Sequence, residues 1–151
     1  MGFFRPKPKE KGIKGAVGTE SEAVIAAALI QAGYTVLTPN GYMHRYDLVI
    51  EDADGEFWKI QCKTAWSEDG GNTIIFKTAS IAMAGQKGRK TTTRKTYKNE
   101  VDYFAVYYPA TSKVYLIPIE GTPNSSMRLR LTKTTKNGQS KGVKYASDYE
   151  L

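Results

Sequence analysis

Cysteine occurs once, as Cys62, and histidine once, as His44, in a chain of 151 residues. A lone cysteine cannot close an internal disulfide, and a structural zinc site, which needs four Cys or His ligands, is out of reach. Hydrolytic centres built from a histidine base plus further histidine or cysteine metal ligands are excluded on the same count. No apolar run is long enough to cross a bilayer. The stretch Arg5-Pro6-Lys7-Pro8-Lys9 is basic and broken by proline, unlike a signal peptide, so the expectation is a cytoplasmic protein with no membrane partner. Gly-rich phosphate loops, serine nucleophile elbows and internal repeats are also missing.

What is present is a chain of single-domain length, 40% hydrophobic and 25% charged, within the range of globular domains. Residues 1–18 read as an extended basic arm and 19–151 as one domain. The formal charge is +7. Basic residues fall in three tracts: 5–14, 87–98 and 128–144. Clustered cations of this kind neutralise phosphates and release counterions, the electrostatic footprint of a nucleic-acid binder. A lysine-rich run by itself is commonly only a solubilising surface.

The chemistry-bearing residues sit at the ends of one expected β-hairpin. Residues 46–50 and 57–63 are rich in aromatic and β-branched side chains, and the polar block between them contains Asp54-Gly55, a strong hairpin signal. Folding back at that turn brings Asp47 across from Gln61 or Cys62, depending on loop length. Alternation places Trp58, Ile60 and Cys62 on one face, seeking a core, and Lys59, Gln61 and Lys63 on the other. A carboxylate, an amide oxygen and a lysine then converge. Such oxygen donors suit Mg²⁺, which keeps several waters and takes one or two carboxylates plus substrate phosphate, while a lysine can stabilise charge developing on phosphorus. The bland alternative is a set of solvated strand-end residues.

Asp47, a hairpin's worth of residues, then Gln61-x-Lys63, preceded by a helix carrying Glu22, resembles the PD-(D/E)XK nuclease superfamily. Residues 18–24 and 33–36 are similar to the opening helix and first strand of archaeal Holliday junction resolvases. Thr93-Arg94-x-x-Tyr97, then residues 101–107 and 114–118, resembles the PD-(D/E)XK endonucleases encoded in group I introns. Two departures stand out. Tyr46 precedes Asp47 where the pattern has proline, and Gln61 takes the place of a second acid, a change that the intron-encoded branch accepts.

The resemblance implies an α/β (α+β), restriction-endonuclease-like mixed β-sheet flanked by helices. It further implies a Mg²⁺-dependent endonuclease hydrolysing double-stranded DNA at specific sites. Asp47, Gln61 and the Cys62 carbonyl would hold metal, Lys63 would orient or activate water, and Glu22 would help hold metal or water. One such site cuts one strand, so a homo-oligomer, dimer or tetramer, is expected. Lys87, Arg89, Lys90, Arg94, Lys95, Lys98, Arg128 and Arg130 are the candidate DNA contacts, with Arg89 and Arg94 suited to guanine because arginine donates two parallel hydrogen bonds. Two alternatives remain: a junction resolvase reading branched shape, and a binding module whose nuclease site has degenerated at Gln61. Glu22 also fits a capping box with Thr19 as N-cap, an equal reading.

Elsewhere, residues 20–32 read as a helix, apolar almost all round, packed deep and ending at Gly33. Residues 34–37 and 73–77 read as strands and 65–72 as a loop. Residues 79–84 could begin a helix, but Gly85, Gly88 and the threonine run Thr91-Thr92-Thr93 favour a basic loop over 78–98. Residues 100–107 and 113–119 read as a second hairpin whose Tyr103, Phe104, Tyr107 and Tyr108 are packing groups. Residues 127–132 suggest a strand and Lys136-Asn137-Gly138 a turn. His44 reads as an exposed loop histidine, with a water-positioning role beside Asp47 as the rarer option.

Overall fold

The computed structural model describes residues 16–86, 88–133 and 142–151. The chain runs through helix α1 (Ala16–Gln31) and strands β1 (Thr35–Leu37), β2 (Leu48–Glu51), β3 (Phe57–Thr64), β4 (Trp66–Glu68) and β5 (Thr73–Lys77). It continues through β6 (Ala79–Gln86), β7 (Arg89–Thr96), β8 (Tyr103–Tyr108), β9 (Lys113–Pro118) and β10 (Ser126–Arg130). A five-stranded sheet has the order β1-β2-β3-β8-β9, a three-stranded sheet β10-β5-β4, and β6 and β7 pair only with each other.

The expected first hairpin forms, with Leu48 opposite Ile60 and Ile50 opposite Trp58. Its turn is organised by Asp52, whose carboxylate accepts from the Asp54 and Glu56 amides and from Trp58 Nε1, while Gly55 supplies a left-handed φ of +80°. β3 then runs parallel to β8, Gln61 beside Phe104 and Lys63 beside Val106. Asp102 fastens the start of that pair: its amide donates to the Lys59 carbonyl and its carboxylate accepts from the Lys59 amide.

β8 and β9 form the second expected hairpin. β8 shows no apolar–polar alternation, because a strand between β3 and β9 is covered on both faces and five of its six residues are buried. Its Phe104 and Val106 enter a core with Ile74, Phe76, Tyr115 and Leu129; Ala105 and Tyr107 enter a second core under α1 with Ile50, Ile60 and Cys62. The packing role read for Tyr103, Phe104, Tyr107 and Tyr108 is borne out.

Four expectations need correction. The helix begins at Ala16, so residues 16–18 belong to α1 and Thr19 lies inside it, not at its N-cap. Nor is the helix deeply packed. Ser21, Ile25 and Leu29, spaced four apart, are buried, while Ile30 on another face is 60% exposed. The ending is as read: Gly33 at φ +100°, with the Gly33 amide bonded to the Ile30 carbonyl and the Tyr34 amide to Leu29, a Schellman pair. Residues 65–72 are not one loop, because the chain leaves the first sheet at Ala65 and pairs Trp66–Glu68 with β5. Within 78–98, where a loop or helix start was expected, Ala79–Gln86 and Arg89–Thr96 pair as a two-stranded ribbon, with Gly88 at φ +80° before the second strand. β-branched threonine favours extended backbone there, and the alternation is hard to see because neither face is apolar throughout.

Candidate active site

The register places Asp47 one step beyond the Leu48–Ile60 pair, opposite Gln61. The Asp47 amide donates to the Ile60 carbonyl at 2.8 Å, and the Cys62 amide donates to Asp47 Oδ2 at 2.8 Å. One carboxylate oxygen is thus anchored across the hairpin and the other remains for a further partner. Cys62 turns its thiol into the core under α1 and Gln61 and Lys63 lie on the opposite face, half-buried, as alternation requires.

Glu22 approaches from the helix. Ser21 is 2% exposed and its hydroxyl meets that of Thr64, the last residue of β3, at 2.6 Å. That bond fixes the first turns of α1 over the end of β3 and leaves the neighbouring Glu22 facing Asp47. The two share a cleft of about 270 Å³ with Tyr46, His44, Tyr42 and Thr38. Gln61 and Lys63 are not in its lining; they join through the Asp47–Cys62 bond and the strand beyond it. His44 is exposed, its Nε2 3.1 Å from the Asn40 carbonyl oxygen, on the wall of that cleft.

Burial is the largest influence on the ionisable groups of the cluster, and their charges act on one another. Partial burial, then the Asp47 charge, hold the Glu22 carboxyl above its ordinary range. Partial burial also raises Asp47, against the lowering effects of the Cys62 amide and the Lys63 charge. Burial, then the charges of Asp47 and Glu22, push the Cys62 thiol far up, with Lys63 opposing, so the cysteine is an inert hydrophobe as expected.

Two crowded carboxylates with raised affinity for protons form a donor set that a cation would relieve. Among the described residues no group of three or more His, Cys, Asp and Glu is placed to hold a metal. With two acids at the cleft, an ion held here would need further oxygen donors; the Gln61 amide and a main-chain carbonyl would complete a hard, oxygen-only set of the kind Mg²⁺ takes with its retained waters. Gln61 Nε2 lies 3.5 Å from the Cys62 carbonyl oxygen, so the amide and that carbonyl are neighbours. A larger groove of about 490 Å³ beside Val24, Ala28, Gln31 and Val114 contains none of these residues.

The chain has counterparts among known proteins. The family model described as PD-(D/E)XK endonuclease matches residues 14–151. The chain belongs to the PD-(D/E)XK endonuclease family. Its members are nucleases that generally use divalent metal ions. Among solved structures the fold is similar to that of the bacterial homing endonuclease I-Ssp6803I, with a TM-score of 0.69 at 24% identity over 92% of this chain and 89% of that one. No curated protein matches. The restriction-endonuclease-like fold of mixed sheets and a flanking helix is thereby borne out, though only one α-helix occurs among the described residues.

The candidate DNA contacts of this PD-(D/E)XK chain are distributed unevenly. Lys87 and the side chains of Arg89 and Lys90 lie outside the described residues, as do the tract 5–14 and the turn at 136–138. Arg94 is exposed on the ribbon, opposite Ile81, and Lys98 is exposed just beyond it. Lys95 pairs with Glu100 at 2.7 Å. Arg128 donates to Glu68 at 2.8 Å across the second sheet, and Arg130 is half-buried there. Two residues went unnoticed as site components: Arg45 and Tyr97. Tyr97 is 5% exposed and accepts a hydrogen bond from Lys63 Nζ at 3.1 Å. Its place in Thr93-Arg94-x-x-Tyr97 was the available signal.

Proposed function

We propose that the protein is a Mg²⁺-dependent endonuclease that cuts double-stranded DNA at specific sites, in the manner of homing endonucleases. The single observation that carries the reading is the Asp47 carboxylate, held by the Cys62 amide across the hairpin in a cleft that it shares with Glu22. Asp47, Gln61 and the Cys62 carbonyl hold the metal, and Glu22 holds metal or water. The bound ion supplies Lewis-acid stabilisation of the phosphate and a more acidic water. Lys63 orients the attacking water and neutralises charge that grows on the phosphate oxygens. Products carry 5′-phosphate and 3′-hydroxyl ends.

The β6–β7 ribbon supports DNA as the substrate. A two-stranded ribbon fits the B-DNA major groove, and this one carries Arg94 and three consecutive exposed threonines. The fold neighbour, described as a bacterial homing endonuclease, is compatible with site-specific cutting. One constellation per chain cuts one strand, so double-strand cleavage takes a homo-oligomer of at least two copies.

The test is incubation with a pool of randomised DNA duplexes and Mg²⁺, with cleaved molecules recovered by ligation to their new ends. A recurrent cut sequence, lost on chelation of metal and in Asp47→Asn and Lys63→Ala variants that still bind DNA, is expected. Undiminished cutting by either variant would remove the assigned roles. Preferential cleavage of a four-way junction would transfer the reading to a resolvase.

A further inference from the structure

We propose that Tyr97 is a positioning residue for Lys63, itself held in place by Arg45 at the root of the β6–β7 ribbon; this rests on the nuclease reading above. The Lys63 ammonium lies 4.5 Å from the centroid of the Tyr97 ring while donating to its hydroxyl at 3.1 Å. A lysine stem is flexible and its ammonium turns freely, so a single anchor atom changes where the charge rests. The anchor here is rigid. Tyr97 is buried, packs edge-on against Phe104 with centroids 5.7 Å apart, and its carbonyl accepts from the Glu100 and Val101 amides.

The Arg45 guanidinium carbon lies 4.1 Å from the centroid of the same ring. Among the described residues its nitrogens reach groups at the ribbon root: Nε donates to Glu100, Nη1 to Ser80 Oγ at 2.8 Å and Nη2 to the Thr96 carbonyl at 3.0 Å. Ser80 follows the first residue of β6 and Thr96 ends β7, one residue before Tyr97. The seat of the ribbon and the seat of the lysine are therefore one aromatic ring. The phenol oxygen is the part of Tyr97 that packing does not require, since a phenylalanine ring in its place would keep the contacts with Phe104 and Arg45.

The test uses the duplex recovered from the randomised pool, with single-turnover cleavage in Mg²⁺ by wild type, Tyr97→Phe, Lys63→Ala and the double variant. Thermal midpoint and DNA affinity are measured beside each rate. Loss of the hydroxyl is expected to slow cleavage about five- to tenfold. Affinity and midpoint should stay at wild-type values, and the double variant should be no slower than Lys63→Ala. An unchanged Tyr97→Phe rate, a midpoint or affinity that falls with the rate, or losses that multiply in the double variant would each overturn the proposal while leaving the nuclease reading intact. If wild type cuts no duplex, the nuclease reading falls and takes this inference with it.

Discussion

The amide of Cys62 donates a 2.8 Å hydrogen bond to the carboxylate of Asp47, across the open end of the β2–β3 hairpin. That bond immobilises the acid without neutralising it. Asparagine can accept the same bond through its side-chain oxygen, so Asp47→Asn should remove the charge and keep the geometry. The expected result is at least a roughly hundredfold loss of metal-dependent cleavage, the scale typical of removing one charge-stabilising group from an active site, read by single-turnover rates.

The same variant should be more stable than wild type in metal-free buffer near neutral pH. Folding raises the affinity of the Asp47 and Glu22 carboxyls for protons. For acids shifted in this direction, stability is greatest below the unfolded pKa, about 4, and is lost as pH rises through the folded pKa. Thermal midpoints of wild type and Asp47→Asn measured in chelator should therefore converge in acid and separate with rising pH, the variant higher. Parallel curves would show that the carboxylates are not strained by burial.

Gln61 supplies an amide where an acid would add a charge. Gln61→Glu should lower the Mg²⁺ concentration needed for half-maximal cleavage, because a carboxylate binds a hard cation more tightly. It should also lower the metal-free midpoint, since a third carboxylate joins Asp47 and Glu22. A metal titration monitored by cleavage and by melting separates the two effects.

The part-buried Ser21–Thr64 contact ties α1 to β3. Thr64→Val leaves the Ser21 hydroxyl without that partner, at a cost of about 1–3 kcal/mol in denaturant unfolding. Pairing it with Ser21→Ala should recover part of that loss. Rates should fall in both backgrounds, because the helix that presents Glu22 loses its register.

On the ribbon, Arg94→Ala is expected to weaken DNA binding and to reduce the slope of log K against log salt by about 1 if the contact is to phosphate. If Arg94 reads guanine, the loss instead appears as about 1–3 kcal/mol at one position of the site. Binding measured over a series of salt concentrations and single-base variants distinguishes these.

The first hairpin was legible because everything that makes it is local: Asp54-Gly55, the flanking alternation and the polarity of residues 59, 61 and 63. Arithmetic across one turn was enough to bring Asp47 across from Gln61 or Cys62, and the register settles on Gln61. The ribbon was misread because its glycines and threonine run carry the usual marks of a loop, and both its faces meet solvent, so no apolar period reports it. The β8 pattern was flattened by a parallel neighbour that only the tertiary fold supplies. Arg45 and Tyr97 were invisible as partners for the same reason. Nothing near residue 45 in the chain announces that its guanidinium will lie against a ring that follows the ribbon.

In the chain the ribbon stands between β5 and β8, strands of the two larger sheets, and pairs with neither. Its free end can therefore be lengthened, shortened or exchanged for another sequence without rerouting the polypeptide through either core. Should the ribbon hold the DNA contacts proposed above, such a chain keeps its cutting chemistry on a chassis and carries its address on an exchangeable tip.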